Sequence, residues 1–225
     1  MRRLLQVRHC ETVLLSYPRS GNHLVRYLLE YSFARPTLGA NDSERFLKPR
    51  GLHDMPIFLR APGIEIRNRR PIVVKRHVIR PTVRFSRVVL LVRDPVEAIL
   101  SHTRSAADDV FFASVQKEVD SWLATVDYFL TFPPERRCFV RLEKLYQEPH
   151  TVGETLITFL GGDSREIARF EHAWENREAA KTSLARKPRD TALPYRDAFP
   201  ERSEKVLSLL RKHASTLDAV SISLQ

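Results

Sequence analysis

The chain has 225 residues, and its 37 lysines and arginines against 27 aspartates and glutamates leave a net charge of +10, with an isoelectric point near 10.0. A hydrophobic share of 43% supports one domain over residues 1–225, and the charge calls for an acidic ligand, a nucleic acid or an anionic surface. Two distant cysteines, Cys10 and Cys138, exclude a disulfide framework or a cysteine metal site.

Thr12–Tyr17 is an apolar run that predicts a strand. Leu24, Val25, Leu28 and Tyr31 fall near helical spacing and predict a helix over 22–33. Between them lies a tight basic turn with one glycine, within SYPRSGNHLVR, Ser16–Arg26. Strand, turn and helix N-terminus in that order aim backbone N–H groups at one point and favour an anion there. Gly21 permits close approach or positive φ. Arg19 adds a planar donor fork suited to an oxyanion. The plain alternative is an ordinary strand-to-helix turn with a surface arginine. The triphosphate pattern G-x-x-x-x-G-K-[ST] and the glycine-rich dinucleotide fingerprint are both absent.

Residues 35–70, with Pro36, Pro49, Pro56 and Pro62, are poorly periodic. They predict loops with a short helix, in the manner of an acceptor-facing lid. A buried strand over 72–75 puts Lys75, Arg76 and His77 near its C-terminal end. An imidazole accepts a hydroxyl or amine proton near neutral pH, although a histidine in a basic segment is also a common structural residue. VVLLV, Val88–Val92, predicts a strand buried on both faces of a parallel sheet. Asp94 then caps, and Pro95 opens, a helix over 95–105. Arg93 sits at the strand end, where open α/β sheets bind ligands, and Ser101 lies about two turns along.

Val110–Leu130 predicts a longer helix whose Trp122, Leu123, Val126, Tyr128 and Phe129 stripe is core. A strand over 138–142 follows. Pro149 opens a helix over 150–160, with Gly161 as its left-handed C-cap. Helices over 164–179 and 201–214 complete the pattern, and 181–199 reads as a surface loop. The alternation predicts an α/β fold, a central parallel sheet flanked by helices. No stretch of about 20 apolar residues and no secretory h-region occurs, so a cytoplasmic location is expected. No cation run with interleaved aromatics points to RNA.

The 16–26 loop resembles the 5′-phosphosulfate loop of the sulfotransferases that use 3′-phosphoadenosine 5′-phosphosulfate (PAPS). It is most similar to the bacterial branch, where the loop often reads Y-P-R-S-G-N. Arg93 and Ser101 are similar to that family's 3′-phosphate motif, an arginine followed eight residues later by a serine. Lys75 and His77 match its Lys-x-His, and the block from Cys138 to Gly161 resembles its late strand and helix. The resemblance runs from about Thr12 to Gly161. It implies a P-loop-like sulfotransferase fold and transfer of a sulfuryl group from PAPS to a hydroxyl or amine, leaving PAP, without a metal. It further implies that Arg19, Ser20, Gly21, Asn22 and His23 hold the phosphosulfate and that Arg93 and Ser101 hold the 3′-phosphate. His77 is then the base, with Lys75 and Arg19 stabilising charge on the transferring group.

Arg186 and Lys187 fall where the family has a 3′-phosphate-binding Arg-Lys-Gly, with Pro188 in place of the glycine. Leu24 replaces an adenine-stacking tryptophan, Leu142 a tyrosine, and Asn22-His23 a Thr-Thr pair. The expected acceptor is a small molecule or glycan, and no nucleic acid and no membrane span are expected. The alternative classes are a kinase-like transferase, which lacks its lysine-serine pair here, a PAP-binding protein without turnover, and a basic nucleic-acid binder.

Overall fold

The computed structural model describes residues 11–39, 70–77, 85–177 and 194–222. Among these, four strands form one parallel sheet: β1 (Thr12–Ser16), β2 (Val74–Arg76), β3 (Arg87–Val92) and β4 (Arg137–Arg141), in the order β2-β1-β3-β4. Leu14 stands in register with Lys75 on one side and Val89 on the other, and Val89 with Cys138. The helices in chain order are α1 (Asn22–Phe33), α2 (Pro95–Thr103), α3 (Asp108–Leu130), α4 (Leu142–Gln147), α5 (Pro149–Phe159), α6 (Ser164–Glu175), α7 (Tyr195–Ala198), α8 (Pro200–Leu210) and α9 (Ala214–Asp218).

The apolar runs of β1 and β3 bury both faces. Val13, Leu15, Val88, Leu90 and Val92 join a core with Ile99 of α2, Trp122 and Val126 of α3, and Leu210 of α8. Leu14, Val89, Leu91 and Val140 join a second core with Leu28 of α1, Ile157 of α5 and Phe170 of α6. Each fully buried leucine contributes about 1.5–3 kcal/mol relative to exposure. Helices on both faces explain why these strands carry continuous rather than alternating apolar residues.

Local chemistry sets the helix ends. Pro95 occupies the first turn of α2, and Asp94 Oδ1 accepts the Glu97 N–H at 2.9 Å. Gly161 follows α5 at φ 83. The Gly162 N–H reaches the Ile157 carbonyl and the Gly161 N–H that of Thr158, both at 2.9 Å, a Schellman closure. Asp163 and Glu166 form a capping box on α6.

Several expected boundaries move. The second strand is Val74–Arg76 rather than 72–75, because the Ile72 N–H is taken by the Pro36 carbonyl and the Val73 carbonyl by the Leu38 N–H. The fourth strand ends at Arg141, since Leu142 begins α4. The helix expected over 95–105 ends at Thr103, and the one expected from Val110 starts at Asp108, two acidic residues that suit its positive N-terminal end. The helix expected over 201–214 is α8, a 3-10 turn at Arg211–His213, then α9. Most of the expected lid over 35–70 lies outside the described residues.

The strand order creates a switch point. From β1 the chain moves to β2 on one side, then crosses to β3 on the other. The carboxyl ends of β1 and β3 therefore diverge to opposite faces at one crevice, the position where such sheets take ligands.

Candidate active site

The loop after β1 fills that crevice. Arg19 has φ 68 and Gly21 φ 85. The Ser20 N–H turns back to the Tyr17 carbonyl at 3.4 Å. Two left-handed residues around Ser20 make the concave backbone that binds anions. Gly21 is the N-cap of α1 and supplies no side chain to the first-turn amides. A Cβ on Gly21 would stand 2.6 Å from Leu142 Cδ1, so α4 closes on this glycine. Ser20 is fully buried, and its Oγ has no hydrogen-bond partner among the described residues, as is true of the buried Asn22 Oδ1. A buried hydroxyl left in this way carries a desolvation cost. An anionic oxygen seated in the loop would remove the cost at Ser20, so these residues fit a phosphosulfate.

Arg19 and Ser101 meet: the guanidinium Nε donates to Ser101 Oγ at 3.3 Å. Ser101 is buried in α2. Arg93, expected to share the 3′-phosphate with Ser101, stands at the opening of the same helix. Arg93 at the end of β3 donates to Glu97 Oε2 at 2.8 Å. The other Glu97 oxygen accepts the Arg196 N–H at 2.9 Å, and the Arg196 side chain reaches Asp94 Oδ2 at 3.1 Å. α7 is thus fastened to the start of α2 beside Arg93. In the sequence Arg196 is marked only by the Tyr195-Arg196-Asp197 group just before the last helices.

His77 and Lys75 flank β1 from β2. His77 Nδ1 lies 2.5 Å from the Ser16 carbonyl and 3.4 Å from Ser16 Oγ. A carbonyl only accepts, so Nδ1 carries the proton and Nε2 is the basic nitrogen of the neutral ring. Lys75 is buried at 2% exposure. Its backbone N–H donates to Leu38 at 2.7 Å. Arg26 braces the same segment, donating to Thr37 Oγ1 at 2.7 Å and to the Gly39 carbonyl at 2.9 Å. Arg186 and Lys187 lie outside the described residues.

A cluster with no signature in the sequence stands behind the loop. The Tyr17 hydroxyl donates to Glu118 Oε2 at 2.5 Å. Burial first, then Glu118, push the tyrosine pKa up, so it stays a donor. The His102 ring meets Tyr17 edge-on at 5.6 Å. Burial lowers the His102 pKa, Glu118 opposes that, and the Arg19 charge adds to it. Among the described residues no group of three or more His, Cys, Asp or Glu side chains could hold a metal ion, and no helix is long and apolar enough to cross a membrane.

No family model and no curated protein sequence matches this chain. Solved structures do. Mouse sulfotransferase SULT7A1 complexed with PAP is 13% identical, with 92% of this chain and 84% of that chain covered and a TM-score of 0.57. Retinol dehydratase in complex with androsterone and inactive cofactor PAP is 17% identical over 95% and 82%, with a TM-score of 0.55. Sulfotransferase STF9 from Mycobacterium avium is 13% identical over 99% and 81%, with a TM-score of 0.52. The chain has the sulfotransferase α/β fold, and at these identities the likeness is one of fold.

Proposed function

We propose that this protein is a PAPS-dependent sulfotransferase acting on a hydroxyl or amine of a small-molecule or glycan acceptor. The observation that carries the reading is the loop at the switch point. It combines two left-handed residues, a helix start without a side-chain cap, a buried hydroxyl with no partner among the described residues, and an arginine fork. The PAP carried by two of the fold's relatives supports the same ligand class.

PAPS supplies a sulfuryl group on a phosphosulfate anhydride, and PAP remains after transfer. The chain's own residues bind, orient and move a proton. Arg19, Ser20, Gly21, Asn22 and His23 hold the 5′ end. Arg93 and Ser101 hold the 3′-phosphate, with the Arg93 fork shared with Glu97, and Arg186 and Lys187 add to that contact. His77 Nε2 takes the acceptor proton, while the Ser16 carbonyl stabilises the resulting imidazolium through Nδ1–H. Arg19 and Lys75 offset the charge that builds on the departing oxygen. Positioning supplies much of the remainder.

The test is a thermal-shift titration with PAP, using ATP and ADP as controls and Arg93→Ala as the negative. Stabilisation by PAP that exceeds that by ATP or ADP, and that is lost in the variant, supports the reading. No response to PAP refutes it. Salt-sensitive binding to DNA or RNA in its place would favour a nucleic-acid binder.

A further inference from the structure

The loop after β1 is gripped from outside the sheet at two points. Arg19 is held from α2 through Ser101 Oγ at 3.3 Å. Tyr17 is held from α3 through Glu118 Oε2 at 2.5 Å, across 101 residues of sequence. His102, next to Ser101, packs its ring edge-on against Tyr17 at 84° and stands 3.9 Å from the same Glu118 oxygen. Tyr17 and Arg19 bracket Pro18, so the two grips fix both ends of a three-residue span. Arg19 within it has φ 68, a conformation that a non-glycine residue keeps only where its surroundings impose it.

Glu118 is an odd choice beside an anion-binding loop, because a carboxylate there opposes an incoming anion. What it offers is a charged acceptor for a buried phenol. Hydrogen bonds to charged groups are the stronger kind. We propose that Glu118 is a positioning residue: by holding the Tyr17 hydroxyl it sets the angle at which the loop presents Arg19 and its amides to the 5′ end of the nucleotide. The inference rests on the reading of this loop as the PAPS site.

Calorimetric titration with PAP and with adenosine 3′-monophosphate, which lacks the 5′ group, tests it. The proteins are the wild type, Tyr17→Phe, Glu118→Ala, Glu118→Gln and the Tyr17→Phe/Glu118→Ala double variant. Tyr17→Phe and Glu118→Ala should each weaken PAP about tenfold, the value of one such hydrogen bond. Affinity for the 3′-monophosphate should stay within twofold in both. The double variant should be no weaker than the poorer single, since the two residues share one bond. Glu118→Gln keeps an acceptor of the same reach without the charge and should recover part of the loss, lying between Glu118→Ala and the wild type. Should Glu118→Ala fail to fold, Tyr17→Phe alone carries the comparison. Equal losses on both nucleotides, or PAP affinity unchanged in Tyr17→Phe, overturns the inference while leaving the site reading intact. A wild type that does not bind PAP overturns both.

Discussion

Arg19 combines the side chain proposed to meet the phosphosulfate with a disfavoured backbone, and two substitutions separate these. Arg19→Ala and Arg19→Gly both remove the guanidinium and its bond to Ser101 Oγ at 3.3 Å. They differ in what they do to φ 68. An L-residue in the left-handed region costs about 1–2 kcal/mol, which alanine retains and glycine escapes. Glycine gives back about 0.4–1 kcal/mol through the greater freedom of the unfolded chain. Arg19→Gly should therefore be more stable than Arg19→Ala by about 0.5–1 kcal/mol. At this size that is roughly 1–4 °C in Tm. Urea unfolding monitored by circular dichroism reads the difference directly, because the missing guanidinium weakens both variants alike and cancels. Sulfuryl-transfer assays should show both variants slowed by about 10²–10³-fold, as when one donor to a developing anion is removed. Arg19→Ala matching or exceeding Arg19→Gly in stability would refute the strain argument, and wild-type turnover in either would refute the role of the guanidinium.

Two further perturbations follow from the packing. Gly21→Ala places a Cβ 2.6 Å from Leu142 Cδ1 at φ 85 and should lose about 1–3 kcal/mol in urea titration; adding Leu142→Ala should relieve the clash but not the φ cost, so full recovery would contradict it. Burial pushes the Cys138 thiol from 9.0 up to about 12. The unfolded chain then loses that proton first as pH rises. Stability should thus be complete below about pH 8.5 and fall above it by about 1.4 kcal/mol per unit, measured as urea midpoints at pH 8 and 10, with Cys138→Ala flattening the decline.

The sheet was legible where apolar runs were long. VVLLV suits a strand buried on both faces of a parallel sheet, and its neighbours Asp94 and Pro95 announced the next helix. The Ile72–Val73 pair misled, because an apolar pair does not say which backbone partner it will take; here the Pro36–Leu38 segment claims it. The tight turn after β1 was legible because its residue types act locally: Gly21 takes the positive φ expected of it. Side-chain pairing was not. Arg93 and Glu97 at i,i+4 spacing were visible, yet spacing alone could not say that Ser101 would accept a hydrogen bond from Arg19, 82 residues earlier. Tyr17 and Glu118 are 101 residues apart, and only the crossing of α3 behind β1 brings them together.

β1 lies inside the sheet, yet neither of its neighbours has been made when it leaves the ribosome. Ser16 waits for His77, 61 residues later, and Glu11 for Ser86, 75 residues later. At about 5–20 residues per second, synthesis alone imposes a delay of roughly 4–15 s. Until β2 is made the apolar segment TVLLS has both edges open, and the edge that faces β3 stays open for the whole interval. A nascent-chain chaperone therefore finds in β1 an apolar strand that has yet to gain its partners. Slow codons placed before β3 would lengthen that exposure, whereas slow codons after it would not.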